Sequence, residues 1–358
     1  MSELFGAVFA RGEAAEAVSD RAWLEAMLRV EAALAEAATE VGAISKEAAH
    51  AIRSAAVPEH FDFAEVGVSG ARIGNPVAGV VDRLRELVPE TYHAAVHYGA
   101  TSQDILDTAM MLVARQAVAA IERDLHGCSR TLHALQRSHG ATAMLGRTLM
   151  QGARPVAFRN LTASWIVGLA QARDLLGALE YPLSYAGPVG AHAVDPDPAA
   201  REIFHALPAL LDLRGDMHWH TLRSPVVRIG SAAAEAAGAC AKVAVDVILL
   251  SQKEIGEVSE GRPGGSTSMP HKRNPVAATC ARACAARTPG LLATLYAAMP
   301  QELQRSPGLW HSEWETLSDL LRLTGSAAAW LRESLEGLQI HPDAMERNLR
   351  AFAPKEDR

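Results

Sequence analysis

Hydrophobic residues along this chain recur at steps of three and four, and almost nowhere at steps of two. In SDRAWLEAMLRVEAALAEAATEVG, Trp23, Met27, Val30 and Leu34 fall on one helical face. Ser19 or Asp20 is placed to cap the start of that helix, and Gly42 to end it. NPVAGVVDRLRELVP repeats the pattern with Val77, Val80, Val81 and Leu84, and Pro76 stands where a first helical turn tolerates a missing N–H. Three later segments predict helices longer than those of an ordinary globular domain: Gln103 to His139, Pro155 to Glu180, and Pro225 to Val258. The first runs for about 37 residues without a proline, on the order of 55 Å of helix. The expected fold is all-α: a bundle of long helices over residues 96–340, preceded by shorter wrapping helices over residues 1–95. Alanine-rich helices of this length expose apolar seams that one subunit cannot cover, which predicts a homo-oligomer.

Polar segments break this pattern at the opening stretch, at YAGPVGAHAVDPDP, at RGDMHWHTLRS and at MPQELQRSPG. The most unusual is GGSTSMPHKRNP, residues 264–275. Gly264 and Gly265 give it mobility, and Ser266, Thr267 and Ser268 supply hydroxyls. Lys272 and Arg273 add positive charge, Asn274 adds an amide, and Pro275 sits where a helix would begin. That set suits an anionic ligand, and it reads equally well as a solvated loop with a helix cap. A second segment, HYGATSQDILDTA, places Thr101 and Ser102 before the longest helix. They can cap it together with Gln103 and Asp104, or offer hydroxyls and free N–H groups to a carboxylate. LGRTLMQGARP carries Arg147, Thr148 and Gln151 ahead of another helix, and HWHTLRS carries His220, Thr221 and Arg223.

Overall charge narrows the ligand class. The formal net charge of −7 argues against a nucleic-acid or membrane-surface partner, because either needs a basic face. No apolar run approaches the roughly 18 residues of a membrane span, and no leader-like segment opens the chain, so a cytoplasmic protein is expected. Cys128, Cys240, Cys280 and Cys284 form no CxxC pair and read as packing residues in a reducing compartment. His218 and His220 lack a carboxylate or cysteine at metal-ligand spacing, so no metal site is expected. His126, His133 and His139 read as solvent-facing, and Trp310 with Trp314 as packing.

Three of these segments resemble, in order, the short conserved regions of the fumarase/aspartase superfamily. GGSTSMPHKRNP is similar to its signature G-S-S-x-M-P-x-K-x-N, while HYGATSQDILDTA and LGRTLMQGARP resemble the other two. The likeness begins at SDRAWLEAMLRVEAALA and covers nearly the whole chain. It implies a homotetramer with a central long-helix bundle and active sites built by loops from three subunits. Ser266 would handle the proton on the carbon next to a substrate carboxylate. The signature's second serine is Thr267 here and the next residue is Ser268, which leaves neighbouring hydroxyls open as the carrier. Lys272, Asn274, Thr101, Ser102 and Gln151 match residues that hold substrate carboxylates, and His97 and Arg305 are candidates for the same task. Family members are often longer, so residues 341–358 read as a short remnant of a C-terminal domain.

One departure carries more information than the matches. Amine-expelling members keep a histidine where this chain has Leu149, and adenylosuccinate lyases often keep another near Gly74 and Asn75. An amine must be protonated to leave. A carboxylate, with a pKa of about 4, leaves or adds as the anion. QELQRSPGLWHSEWETL also resembles the stretch found in bacterial 3-carboxy-cis,cis-muconate cycloisomerases, with Leu303 where histidine is common. The resemblance thus implies lactone closure of a tricarboxylate without cofactor or metal. The alternatives are a fumarate-releasing lyase using His97 as its acid, or a non-catalytic binding protein on the same fold.

Overall fold

The computed structural model describes residues 3–190, 198–215 and 218–352. Residues 191–197 and 216–217, within two of the expected loops, lie outside the described residues, as do residues 353–358 of the expected C-terminal segment. The N-terminal helices are α1 (Glu3–Phe9), α2 (Glu13–Ala17), α3 (Asp20–Glu40), α4 (Lys46–Ala55), α5 (Phe63–Ile73) and α6 (Val77–Leu87). Next come α7 (Ser102–His139), a hairpin of β1 (Ala143–Thr148) and β2 (Gln151–Ala157), α8 (Phe158–Gly177), α9 (Pro198–Leu211) and α10 (Ser224–Leu250). The chain continues through β3 (Val258–Ser259), α11 (Val276–Ala285), α12 (Thr288–Ala297), α13 (Leu309–Glu336), β4 (Gln339–Ile340) and α14 (Pro342–Phe352).

The apolar periodicity places the core. Ser19 accepts a hydrogen bond from the Ala22 N–H at 3.2 Å and caps α3, whose Leu24, Met27, Val30 and Leu34 are buried. On α6, Val77, Val80, Val81 and Leu84 are buried as their spacing predicts. α13 packs against α7, α10 and α11, and α8 packs against both α7 and α10. Small residues set these distances. A Cβ on Gly325 of α13 would lie 2.2 Å from the Ala14 Cβ of α2, so any larger residue there forces the helices apart.

The structure departs from the expected elements in three places. The 28-residue α13 is a fourth long helix that the sequence pattern did not single out; its centre reads TGSAAA, where small and polar residues hide the apolar stripe. Its Leu317, Leu320, Leu321 and Leu331 are nevertheless fully enclosed. α10 stops at Leu250 rather than Val258, because residue 258 pairs with Ile340 in a short antiparallel bridge. The stretch LGRTLMQGARP forms no simple loop: it makes an antiparallel hairpin, with Thr148 paired to Gln151. α8 accordingly starts at Phe158, after Pro155 has joined the strand. The hairpin turn is Leu149 and Met150, both left-handed at φ 50° and 66°. A two-residue turn of this kind suits the strand twist but ordinarily carries Asn-Gly, so Leu-Met gives little sequence warning of it.

Candidate active site

Capping of the longest helix organises the first part of the site. The Thr101 N–H donates to Asp104 Oδ2 at 3.0 Å, and the Arg305 guanidinium donates to Thr101 Oγ1. Two residues separated by 204 positions are thereby joined. Ser102 is the first residue of α7 and half-buried. His97 precedes it in a left-handed conformation at φ 62°, with its carbonyl accepting from the Ala100 N–H. The His97 Nδ1 lies 2.6 Å from Oε1 of Glu31, which reaches across from α3.

Beneath Thr101 lies a buried polar hub that sequence reasoning missed. Asp104 accepts from the Ala186 and Gly187 N–H groups at 2.8 and 3.0 Å and pairs with His220 Nε2 at 2.7 Å. Burial alone would raise its pKa, but His220 and the Thr101 and Ala186 N–H groups hold the carboxyl below the ordinary value. One turn along α7, Asp107 takes both terminal nitrogens of Arg223 at 2.8 and 3.0 Å and the Trp310 Nε1–H at 3.0 Å. Arg223 Nε also donates to Glu313 at 3.0 Å. Asp107, Arg223 and Glu313 have no exposed side-chain surface. Two carboxylates and one guanidinium in such a space favour one retained proton; burial pushes Glu313 up to about 7, against the pull of Arg223. The hub ties the start of α7, the 219–223 loop and the start of α13 into one unit. Arg223 and His220 are therefore structural here rather than free ligands. The available sequence signal was QDILD, two acids one turn apart inside an otherwise apolar helix.

The hairpin forms a separate part. Gln151 is exposed beside the turn, and Leu149 is 96 % exposed. Arg147, which the sequence sets with Gln151 in the same polar segment, is consumed by the fully buried Glu257 in a bidentate pair at 2.8 and 3.0 Å. Asn348 of α14 bonds the same carboxylate at 2.7 Å, so these contacts hold the hairpin root.

Residues 264–275 form the third part. Gly264 and Asn274 exchange backbone hydrogen bonds of 2.9 Å and close the segment into a loop. Ser266 Oγ accepts from the Met269 N–H at 3.2 Å, and the Asn274 amide donates to the Gly265 carbonyl at 3.0 Å. Thr267 and Lys272 are exposed, and among the described residues the Lys272 ammonium has no ion-pair partner. Of the two readings of this segment, the helix start itself acts as a cap within one chain. Buried Glu260 already accepts from the Ala277 and Ala278 N–H groups at 3.1 and 2.8 Å, and the Val276 and Thr279 N–H groups donate to the Asn274 and Pro275 carbonyls, leaving that end of α11 no free donor for a ligand. Within one chain, none of Ser266, Thr267, Lys272 and Asn274 bonds to His97, Thr101, Ser102, Gln151 or Arg305.

Three polar parts on a long-helix bundle, in this chain order, prompt comparison with known proteins. A family model described as Lyase matches residues 9–290. The solved 3-carboxy-cis,cis-muconate lactonizing enzyme of Pseudomonas putida superposes with a TM-score of 0.92 at 37% identity, over 97% of this chain and 79% of that one. The chain belongs to the lyase family of the fumarase/aspartase superfamily. Among curated members, the nitrosuccinate lyase of Streptomyces davaonensis is 42% identical, over 93% of this chain and 74% of that protein. The 3-carboxy-cis,cis-muconate cycloisomerase of Bradyrhizobium diazoefficiens is 38% identical, over 98% and 80%. As a lyase-family enzyme, the chain places a bare hydrocarbon, Leu149, at its hairpin tip, and Leu303, at φ 49° and 85 % exposed, offers only its carbonyl, which accepts from Thr221. Among the described residues, no helix is long and apolar enough to cross a membrane, and no group of three His, Cys, Asp or Glu side chains is placed to hold a metal ion.

Proposed function

We propose that the chain is a cycloisomerase closing 3-carboxy-cis,cis-muconate to 4-carboxymuconolactone, acting as a homotetramer whose sites combine the three parts from three subunits. The observation that carries this reading is Leu149: the hairpin tip presents no acid to a leaving group. Lactone closure needs none. One substrate carboxylate adds to the distal alkene carbon, forming a C–O bond, and the alkene electrons move onto the acceptor carboxylate as an aci-carboxylate. Arg305, Thr101 and Lys272 supply positive charge and hydroxyl donation for that dianion. The Ser266 hydroxyl delivers a proton to the adjacent carbon and regains one from solvent. In reverse the serine must act as a base, which demands a closed, dry segment with cations nearby. Closure of residues 264–275 over substrate therefore gates turnover.

A second reading has a specific observation behind it, the 42% identity to a nitrosuccinate lyase. Eliminating nitrite breaks a C–N bond, yet the departing group is again a stable anion that needs no proton. Both reactions share the serine and the aci-carboxylate, and they differ in what leaves. Purified protein offered 3-carboxy-cis,cis-muconate is expected to bleach the conjugated-diene absorbance. Nitrite and fumarate released from nitrosuccinate, with no bleaching, move the assignment to the second reading. Fumarate from adenylosuccinate or argininosuccinate removes both, because it requires an acid.

A further inference from the structure

Glu31 is out of place. It lies on the buried face of α3 among Met27, Leu28, Val30 and Leu34, has no exposed side-chain surface, and sits 66 residues from the only side chain it bonds among the described residues. A carboxylate enclosed by hydrocarbon costs several kcal/mol unless it is paired, so this position needs a compensating reason. Its Oε1 meets His97 Nδ1 at 2.6 Å, while its Oε2 is buried and accepts no hydrogen bond. His97 keeps a left-handed backbone at φ 62°, a conformation that costs a non-glycine residue on the order of 1 kcal/mol or more. Its ring remains 14% exposed, and Nε2 has no partner among the described residues. The ring is thus anchored at one nitrogen from inside the bundle and open at the other, four residues before Thr101.

We propose that Glu31 is a positioning residue: it anchors His97 through Nδ1 so that Nε2–H faces outward as a donor to a substrate carboxylate. This rests on the reading that residues 97–102 receive the substrate. Charged groups from three elements act on the ring: Glu31 of α3, Asp104 of α7 and Arg85 of α6. Burial pulls its proton affinity down, and Arg85 also lowers it, but Glu31 and then Asp104 outweigh them, leaving the imidazole pKa above its ordinary value. A neutral ring with Nδ1–H turned to Glu31 would present a lone pair at Nε2 and repel a carboxylate. The retained proton makes the same nitrogen a donor. His97 is then a cationic contact rather than the acid of an amine lyase, and substrate affinity weakens as pH rises through its titration.

Two measurements on the intact chain test this. The first follows the His97 imidazole by NMR, assigned with a His97→Gln variant, in wild type and in Glu31→Gln. The expected wild-type midpoint lies above about 6.5, and Glu31→Gln lowers it by about one unit or more. A wild-type midpoint at or below 6.5, or one that Glu31→Gln leaves in place, overturns the proposal. The wild-type value decides alone if the variant does not fold. The second follows KM and kcat against pH for whichever substrate is turned over. Glu31→Gln is expected to raise KM about tenfold near pH 7, with a smaller change in kcat, and to move the alkaline rise in KM to lower pH. Equal losses in kcat at every pH, with KM unmoved, indicate a merely structural role and overturn it. If neither substrate is turned over, the functional reading fails while the ring titration still decides this one.

Discussion

Beneath Thr101, Asp104 pairs with His220, and Asp107, Arg223 and Glu313 bond to one another, all enclosed and drawn from three chain segments. Residues 264–275 carry more polar side chains, face largely outward, and, among the described residues, bond through the side chains of Ser266 and Asn274 to the segment's own backbone. The first region is pre-organised: its geometry is set when the chain folds, and it can orient a carboxylate acceptor without moving. The second holds the hydroxyls and the unpaired ammonium in a form that only closure over a ligand can desolvate. Under the proposed reaction, positioning would fall to the enclosed part and proton handling to the exposed one, as suits a base that must be shielded from water only while substrate is present.

That contrast can be broken by separating activity from stability. Ser266→Ala is expected to cut turnover by up to about 10⁴-fold, the full worth of a positioned proton carrier, with an unchanged melting temperature because the side chain stabilises only its own loop. Steady-state kinetics beside a thermal melt checks both halves; a drop in stability would erase the distinction. Asp107→Ala should behave in the opposite way, leaving Arg223 and Trp310 short of an acceptor and costing about 3–5 kcal/mol of unfolding free energy, read by denaturant titration.

The pH dependence sharpens the comparison further. Glu313 is held protonated up to about 7 in the fold, against an unfolded carboxyl pKa of about 4.3. The folded chain therefore binds more protons than the unfolded one between these values, and this contribution to stability is complete below pH 4.3 and lost as pH rises through 7. The loss is on the order of 3–4 kcal/mol, and Glu313→Gln should flatten the corresponding fall in melting temperature. The smallest expected effect lies at the hairpin. Met150→Gly relieves a left-handed side chain and should raise stability by less than about 1 kcal/mol, a melting-temperature gain of a few degrees at most.

The fold class and most of the helices were legible because burial imposes a local period: Val77 to Leu84 point inward wherever that helix docks. Thr101 at the head of α7 and the composition of residues 264–275 were legible for a similar reason, since caps and loops are written in a few neighbouring residues. What remained hidden depends on partners distant along the chain. Arg147 looks like a ligand until Glu257 meets it, and the start of α11 looks like an anion site until Glu260 fills it. Glu31 on an apolar helix face has no reading at all until His97 arrives 66 residues later. The amino-acid order determines which segments can form helices and which carry chemistry, because those preferences act over a turn or two. Only the tertiary structure decides which charged groups remain available, because a buried charge is neutralised by whatever the packing brings within about 3 Å, and that distance is set by the whole chain.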